Sequence, residues 1–399
     1  MNFSSVHAAL AWARMCEPTD RVAAAFIREL GQSDGLKLAY ELMALPSISE
    51  KQVARFGQLE ELGARTVSKH LTRWAQKVSQ VDPESDLRQA TLLGAAVLNP
   101  ESAKWPRAVD DLGPSAPFAL WVRGDLESLN PQRRALAVVG SRAVTPYGEH
   151  ATSVVLSALI THADVVVSGG AFGVDASAHS QSLARGLPTV AVMAGGVDRL
   201  YPAGNHQILS RLAKGENGSA IVSESPPGTL PMKSRFLTRN RIIAALSHAT
   251  VVVEAAWRSG SLSTAHHALA IGREVGAIPG PITSAQSAGC HRLIQECGAQ
   301  VITCAQDVDL LLGGSSADGQ TELSLSGQGI GTNDRSILGH SMTSGALRVL
   351  DGFTRHGAQT SSELALRTGL LESEVMGFLG ELEMAGVVVR NLFGWSRAT

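Results

Sequence analysis

Two different hydrophobic periods run along this chain. Over residues 1–80 apolar positions recur at helical spacing, as in Ala23-Ala24-Ala25-Phe26-Ile27 and from Leu59 to Trp74. This spacing predicts a small all-helical domain. From residue 131 the pattern changes to short continuous apolar runs. They fall at Ala135–Val139, Val165–Val167, Thr189–Met193, Ala220–Val222, Thr250–Val253, Val275–Ile278 and Gln300–Ile302, with helical patterns between most of them. Apolar strands alternating with helices predict an α/β core over residues 131–312, built on a largely parallel sheet covered on both faces. Residues 81–130 read as a connector packed on that core, with strand content at Phe118–Val122.

The periodicity lapses after residue 312. Ten of the 21 positions from 313 to 333 are Gly or Ser, which predicts a flexible linker extending to residue 341. A last unit occupies residues 342–399. Helical patterns at Ala346–Arg355, Ser361–Thr368 and Glu372–Met384 precede strand candidates at Val387–Arg390 and Phe393–Ser396. Three helices followed by a two-stranded wing predict a winged helix.

Composition narrows the class. The chain has 399 residues, 44% hydrophobic and 18% charged, which is a folded multi-domain chain and not a disordered one. No apolar run is long enough to span a membrane, and Met1 to Arg14 lacks the basic start of a signal peptide, so the expectation is a cytoplasmic protein without membrane contact. The four cysteines form no C-x-x-C pair, which argues against zinc and against a disulfide framework. The net charge of -2 conceals a segregation. Residues 131–305 carry 14 Lys and Arg against 9 Asp and Glu, while residues 306–399 carry 6 against 11. A polyanion would therefore prefer the middle of the chain.

Four glycine-rich loops follow the predicted strands, where ligands bind in doubly wound sheets. They are Gly140-Ser141-Arg142, the run from Ser168 through Gly169, Gly170 and Phe172 to Gly173, Gly195-Gly196-Val197-Asp198, and Ser259-Gly260-Ser261 with Thr264. Glycines and hydroxyls at helix starts can offer amides to phosphate. Familiar nucleotide sites are absent: there is no G-x-x-x-x-G-K-[ST], and Gly140 lacks the spacing of a dinucleotide fingerprint. No cofactor is expected. Asp175 and His179 lie one helical turn apart and could form an acid/base pair, but Asp175 more simply complements a helix N-terminus. His266 and His267 are adjacent and would diverge on a helix, so they make no metal site. The segment Leu45-Pro46-Ser47-Ile48-Ser49 resembles a helix-hairpin-helix with serines in place of its glycines, which points to a structural role.

One segment has the composition of a nucleic-acid grip. Lys233, Arg235, Phe236, Arg239 and Arg241 put four cations and an aromatic within nine residues, with Asn240 between the last two arginines. Cations hold a phosphate backbone and an aromatic stacks on a base. Arg142 joins them as a candidate contact. Arg239 and Arg241 are the members best suited to buried ion pairs.

These motifs together resemble the DNA-processing protein A family (DprA, also called Smf). The likeness rests on Val139 to Arg142, Ser168 to His179, Gly196 to Pro202 with Asn205, Ser223-Glu224, Phe236 with Arg239-Asn240-Arg241, and Ser259 to Ala265. Pro279-Gly280 and Gly289 to Ile294 complete the series, which covers about residues 85–305 closely. The resemblance implies a Rossmann-like core that binds single-stranded DNA, a homodimer, and loading of RecA onto incoming strands in natural transformation. It also implies sterile-alpha-motif-like and winged-helix companions and no catalysis. Two positions depart from the family pattern: Ala203 stands where lysine is common, and Leu237 where proline is usual. The competing enzyme reading is a LOG-type phosphoribohydrolase. It would need a carboxylate where this chain has His267. A third reading, a double-strand reader acting through the winged helix, meets a helix with Glu372, Glu374, Glu381 and Glu383 and no Lys or Arg.

Overall fold

The apolar runs pair into a sheet of nine strands among the described residues, in the order β1-β2-β6-β5-β4-β3-β7-β8-β9. The computed structural model describes residues 4–159, 164–313, 344–353, 358–384, 386–391 and 394–397. Contacts divide the chain into two compact units, residues 1–319 and 320–399.

The strands of the first unit are β1 (Ala95–Leu98), β2 (Leu120–Gly124), β3 (Arg134–Val139), β4 (Asp164–Ser168), β5 (Thr189–Val192), β6 (Ala220–Ser223), β7 (Ala249–Val252), β8 (Glu274–Ala277) and β9 (Gln300–Val301). From β6 to β9 every pairing is parallel. The connector contributes β1 and β2, which extend the sheet antiparallel beside β6, with Trp121 opposite Ser223. Seven helices cover this sheet: α7 (Pro146–Leu156), α8 (Val174–Ala184), α9 (His206–Ala213), α10 (Lys233–Ala245), α11 (Ser261–Ala270), α12 (Ala288–Cys297) and α13 (Ala305–Leu311). They follow six further helices, α1 (Ser5–Met15), α2 (Arg21–Met43), α3 (Glu50–Val53), α4 (Gly57–Leu62), α5 (Ala64–Ala75) and α6 (Pro83–Leu92).

Strand alternation sends side chains to both faces. Leu136 and Val138 pack with Val155 and Ala178 on one side, while Ala137 and Val139 pack with Ile242, Ile243 and Leu262 on the other. Fully burying one such side chain contributes about 1.5–3 kcal/mol, so both faces need covering helices.

The N-terminal helices have their own core. Trp12, Phe26 and Trp74 are fully buried, and Trp12 meets Trp74 edge-on at 5.5 Å. Asp20 caps α2 through Val22 and also accepts from Trp74 Nε1 at 3.1 Å. Ser49 closes a capping box with Gln52 at the start of α3, which gives that serine a local structural use. This helical layer is fastened to the sheet region. Arg14 donates to Asp86 and to the Pro227 carbonyl at 3.0 Å, and Glu17 pairs with Arg235 at 3.0 Å.

The second unit comprises α14 (Ser344–Gly352), α15 (Ser361–Thr368), α16 (Glu372–Met384) and the antiparallel pair β10 (Val388–Asn391) and β11 (Gly394–Arg397). Val349, Leu364, Leu379, Leu382 and Trp395 form its core. Thr360 and Glu363 form a capping box at α15, and Gly369 ends that helix in the left-handed conformation. The linker expected over 313–341 lies outside the described residues apart from Gly313.

Candidate nucleic-acid interface

The sheet reverses direction at β3. The chain goes from β3 to β4 on one side, whereas β7 lies on the other. In open α/β sheets the crevice at such a reversal, beyond the C-terminal strand ends, is the ligand site. A cleft of about 430 Å³ opens there. The loop after β3, Gly140 to Ala143, forms one wall, and Ala256 with Arg258 to Ser261 after β7 forms the other. Phe236, Leu237, Arg239 and Asn240 of α10 complete it, with Thr264, Ala171 and Asp175 also lining it.

The basic–aromatic segment is the start of α10, so its side chains leave the axis in different directions. Lys233 is exposed and forms no ion pair among the described residues. Phe236 is half-buried in the cleft wall. The Arg142 guanidinium lies 5.2 Å from its ring centroid and the Tyr201 ring 5.8 Å away. Arg142 is itself exposed at the cleft rim. Asn240 donates to the Gly260 carbonyl at 3.1 Å and so ties the fourth loop to α10.

The other three cations require correction as free phosphate contacts. Arg235 is 19% exposed and already engages Glu17 and the Ser225 hydroxyl, at 3.0 and 3.1 Å. Arg239 is buried; it donates to the Gly169 carbonyl at 2.6 Å and to the Val192 carbonyl. Desolvation holds its guanidinium down to about 10. Arg241 is 2% exposed, forks onto Glu224 at 2.7 and 2.6 Å, and also donates to the Ser115 carbonyl at 2.7 Å. From Arg239 onward α10 is enclosed on every side, and a buried guanidinium needs several acceptors. Arg239 and Arg241 therefore build the site's support.

The four loops also separate. In the second, Asp175 takes the amides of Gly169 at 3.1 Å and Ala171 at 3.3 Å, so neither is free for a ligand. A Cβ on Gly169 would lie 2.5 Å from the Arg239 guanidinium, which only glycine avoids. Gly173 precedes α8 at φ +78°, a left-handed conformation that suits glycine. Gly170 packs against Leu209, and Phe172 projects outward over Gly204 with 49% exposure, away from the cleft lining. The third loop is covered by residues 226–231, with the Gly196 amide bonded to the Thr229 carbonyl at 3.0 Å. The first and fourth loops remain on the cleft. The amides of Arg142 and Gly260 donate to no protein acceptor among the described residues. Ser141, Ser261 and Thr264 are buried in the cleft walls, with Ser141 bonded to Ala143 and Ser261 to Ser259.

No acid/base set assembles here among the described residues. Burial pushes the Asp175 carboxyl up, against the pull of Arg239 and two amides. His179 bonds Thr189 Oγ1 at 2.7 Å instead, and burial pushes it down to about 3. His266 bonds the Leu262 carbonyl at 2.6 Å, and His267 is half-buried with its pKa lowered by desolvation. No cluster of metal-ligating side chains occurs among the described residues.

Four residues outside the sequence-based set shape the site. Buried Glu254 accepts from the Thr145 amide and hydroxyl at 3.0 and 2.5 Å, fixing the turn into α7 that follows the first loop. Tyr201, Trp257 and Arg258 are exposed beside the cleft. The available signal was position: Trp257 and Arg258 directly precede the fourth loop.

Comparison with known proteins adds an independent line. Residues 96–312 match the family model described as DNA recombination-mediator protein A, beginning within β1. A DprA-type DNA processing protein of Mycobacterium tuberculosis is 36% identical over 386 residues, covering 94% of this chain and 93% of that one. The DNA processing protein DprA of Streptococcus pneumoniae is 40% identical over 222 residues, 53% of this chain and 76% of its own. The X-ray structure of DNA processing protein A from Streptococcus pneumoniae matches with a TM-score of 0.59 and 29% identity, over 77% of this chain and 98% of that one.

Proposed function

The chain belongs to the DNA recombination-mediator protein A family, and from that starting point we propose that its cleft holds single-stranded DNA. Proteins of this family are DNA-binding recombination mediators and not catalytic enzymes. The observation that carries the strand assignment is the surround of Phe236: an aromatic ring in a cleft wall, flanked by Arg142 and Tyr201. Stacking needs a base with a free face, and in a duplex both faces are already covered by neighbouring pairs. A single strand supplies that face together with phosphates for Arg142, Lys233 and Arg258.

The reading extends to protection of incoming strands and loading of RecA in natural transformation, in the cytoplasm, by a homodimer formed through the Rossmann-like core. Support for this part is the family's role as a recombination mediator. We read the second unit as a winged helix from its three helices and antiparallel hairpin. Its α16 carries four glutamates and no Lys or Arg, so it is assigned no duplex-reading role. The LOG-type alternative lacks its carboxylate at His267, and Asp175, the one acidic side chain lining the cleft among the described residues, is engaged by the amides of Gly169 and Ala171.

Fluorescence anisotropy with a labelled oligo-dT and a matched duplex, over a range of salt, tests the proposal. Preference for the single strand and a linear fall of log affinity with log salt are expected. Equal affinity for the duplex, or affinity indifferent to salt, would refute it. Release of free base from nucleoside monophosphates would favour the enzyme instead.

A further inference from the structure

Of the six tryptophans, Trp12, Trp74, Trp105, Trp121 and Trp395 are buried, and Trp257 is 54% exposed. It sits in the loop after β7 between Ala256 and Arg258, both of which line the cleft. The ring is held. The Arg292 guanidinium lies 4.9 Å from it over one face, and Arg292 pairs with Glu296 at 2.6 Å one turn along the same helix. The helix bearing Arg292 comes this close because Gly289 has no side chain. A Cβ there would lie 2.7 Å from the carbonyls of Ala255 and Ala256, and the Gly289 amide bonds the first of these at 2.7 Å. A large aromatic kept exposed, with one face backed by a cation, is a surface suited to another flat group.

We propose that Trp257 is a second base-stacking platform, so that the DNA strand leaves the cleft over Arg258 and lays a further base on this indole. The inference rests on the single-strand reading of the cleft and lengthens it in one direction. Phe236 and Trp257 then flank a continuous track, with Arg142 and Arg258 facing phosphates between them. Charge selects nucleic acid over an apolar protein partner: the ring's neighbours Arg258 and Arg292 are cations, and Arg292 pairs with Glu296 while Arg258 forms no ion pair among the described residues. A track with two aromatic stations and no base-edge readout is tolerant of sequence.

The tryptophan distribution provides the assay. In the full-length protein, acrylamide should quench chiefly Trp257, because the other five indoles are buried. A 20-nucleotide oligo-dT is expected to quench that emission by stacking and to shield it from acrylamide. Trp257→Phe should remove the signal and weaken binding less than Trp257→Ala, since a smaller ring remains. Trp257→Ala should weaken binding, read independently by anisotropy of labelled oligo-dT, by roughly fivefold to 100-fold. The loss should shrink when the oligonucleotide is too short to reach beyond Arg258. Binding by anisotropy with no shielding of Trp257 and unchanged affinity in Trp257→Ala would overturn the inference and leave the cleft reading standing. Absence of any anisotropy change in the wild type would overturn both. Should the alanine variant prove unstable, the shielding of the wild-type indole decides the matter.

Discussion

Arg241→Ala separates a support residue from a DNA contact. Arg241 and Glu224 are 2% and 7% exposed at the side chain, and the guanidinium forks onto the carboxylate at 2.7 and 2.6 Å. It also satisfies the carbonyls of Ser115 and Thr238. Truncating it leaves a buried carboxylate without its cation, which costs about 3–5 kcal/mol. At about 2 °C per kcal/mol for a unit of this size, the midpoint of thermal unfolding should fall by roughly 6–10 °C. Differential scanning fluorimetry of Arg241→Ala, Glu224→Ala and the apolar double variant Glu224→Leu/Arg241→Met reads this directly. The double variant should recover much of the loss, because replacing both partners removes the unpaired charge. Below the transition, the salt dependence of oligo-dT binding by Arg241→Ala should match the wild type. An unchanged midpoint together with a shallower salt slope would refute the support role and restore Arg241 as a phosphate contact.

Other substitutions probe the remaining assignments. Arg142→Ala with Lys233→Ala should lower single-strand affinity and reduce the salt slope by about 2, with little change in melting; an unchanged slope would count against both contacts. Phe236→Ala should weaken oligo-dT binding by about 1–3 kcal/mol in anisotropy titrations, and a large melting shift without an affinity change would instead mark a packing residue. Burial lowers the pKa of His179 to about 3 in the folded state, and unfolding returns it to 6.5. Its stabilisation is therefore complete above pH 6.5 and is lost as the pH falls toward 3, by at most about 1.4 kcal/mol per pH unit. Denaturant unfolding from pH 7 to 5 should show a shallower decline in His179→Gln, and identical slopes would contradict the assignment. Deleting residues 313–399, an acidic segment, should leave single-strand affinity within about threefold; a tenfold loss would show that Arg390 and Arg397 of the hairpin bind phosphate.

The sequence alone determined the core strands from β3 onward and where the glycine-rich loops after them lie. Continuous apolar runs such as Leu136–Val139 and Val165–Val167 specify strands buried on both faces, because neither face has polar positions to present to water. Glycine placement marked the strand ends, and the cation-rich stretch at Lys233 to Arg241 pointed to the helix on which the proposed polyanion site is built. The tertiary structure alone decided which cations are free. Charge content says nothing about burial: α10 begins at the surface with exposed Lys233 and is enclosed on every side from Arg239 to Ala245, so Arg239 and Arg241 are buried. It also decided which glycine loops keep open amides, since Asp175 reaches back six residues to claim Gly169. The connector strands β1 and β2 needed the β6 edge to define them. The exposure of Trp257 is not legible in the sequence because it is a property of its surroundings, and the residues beside it, Gly289 and Arg292, lie more than thirty positions along the chain.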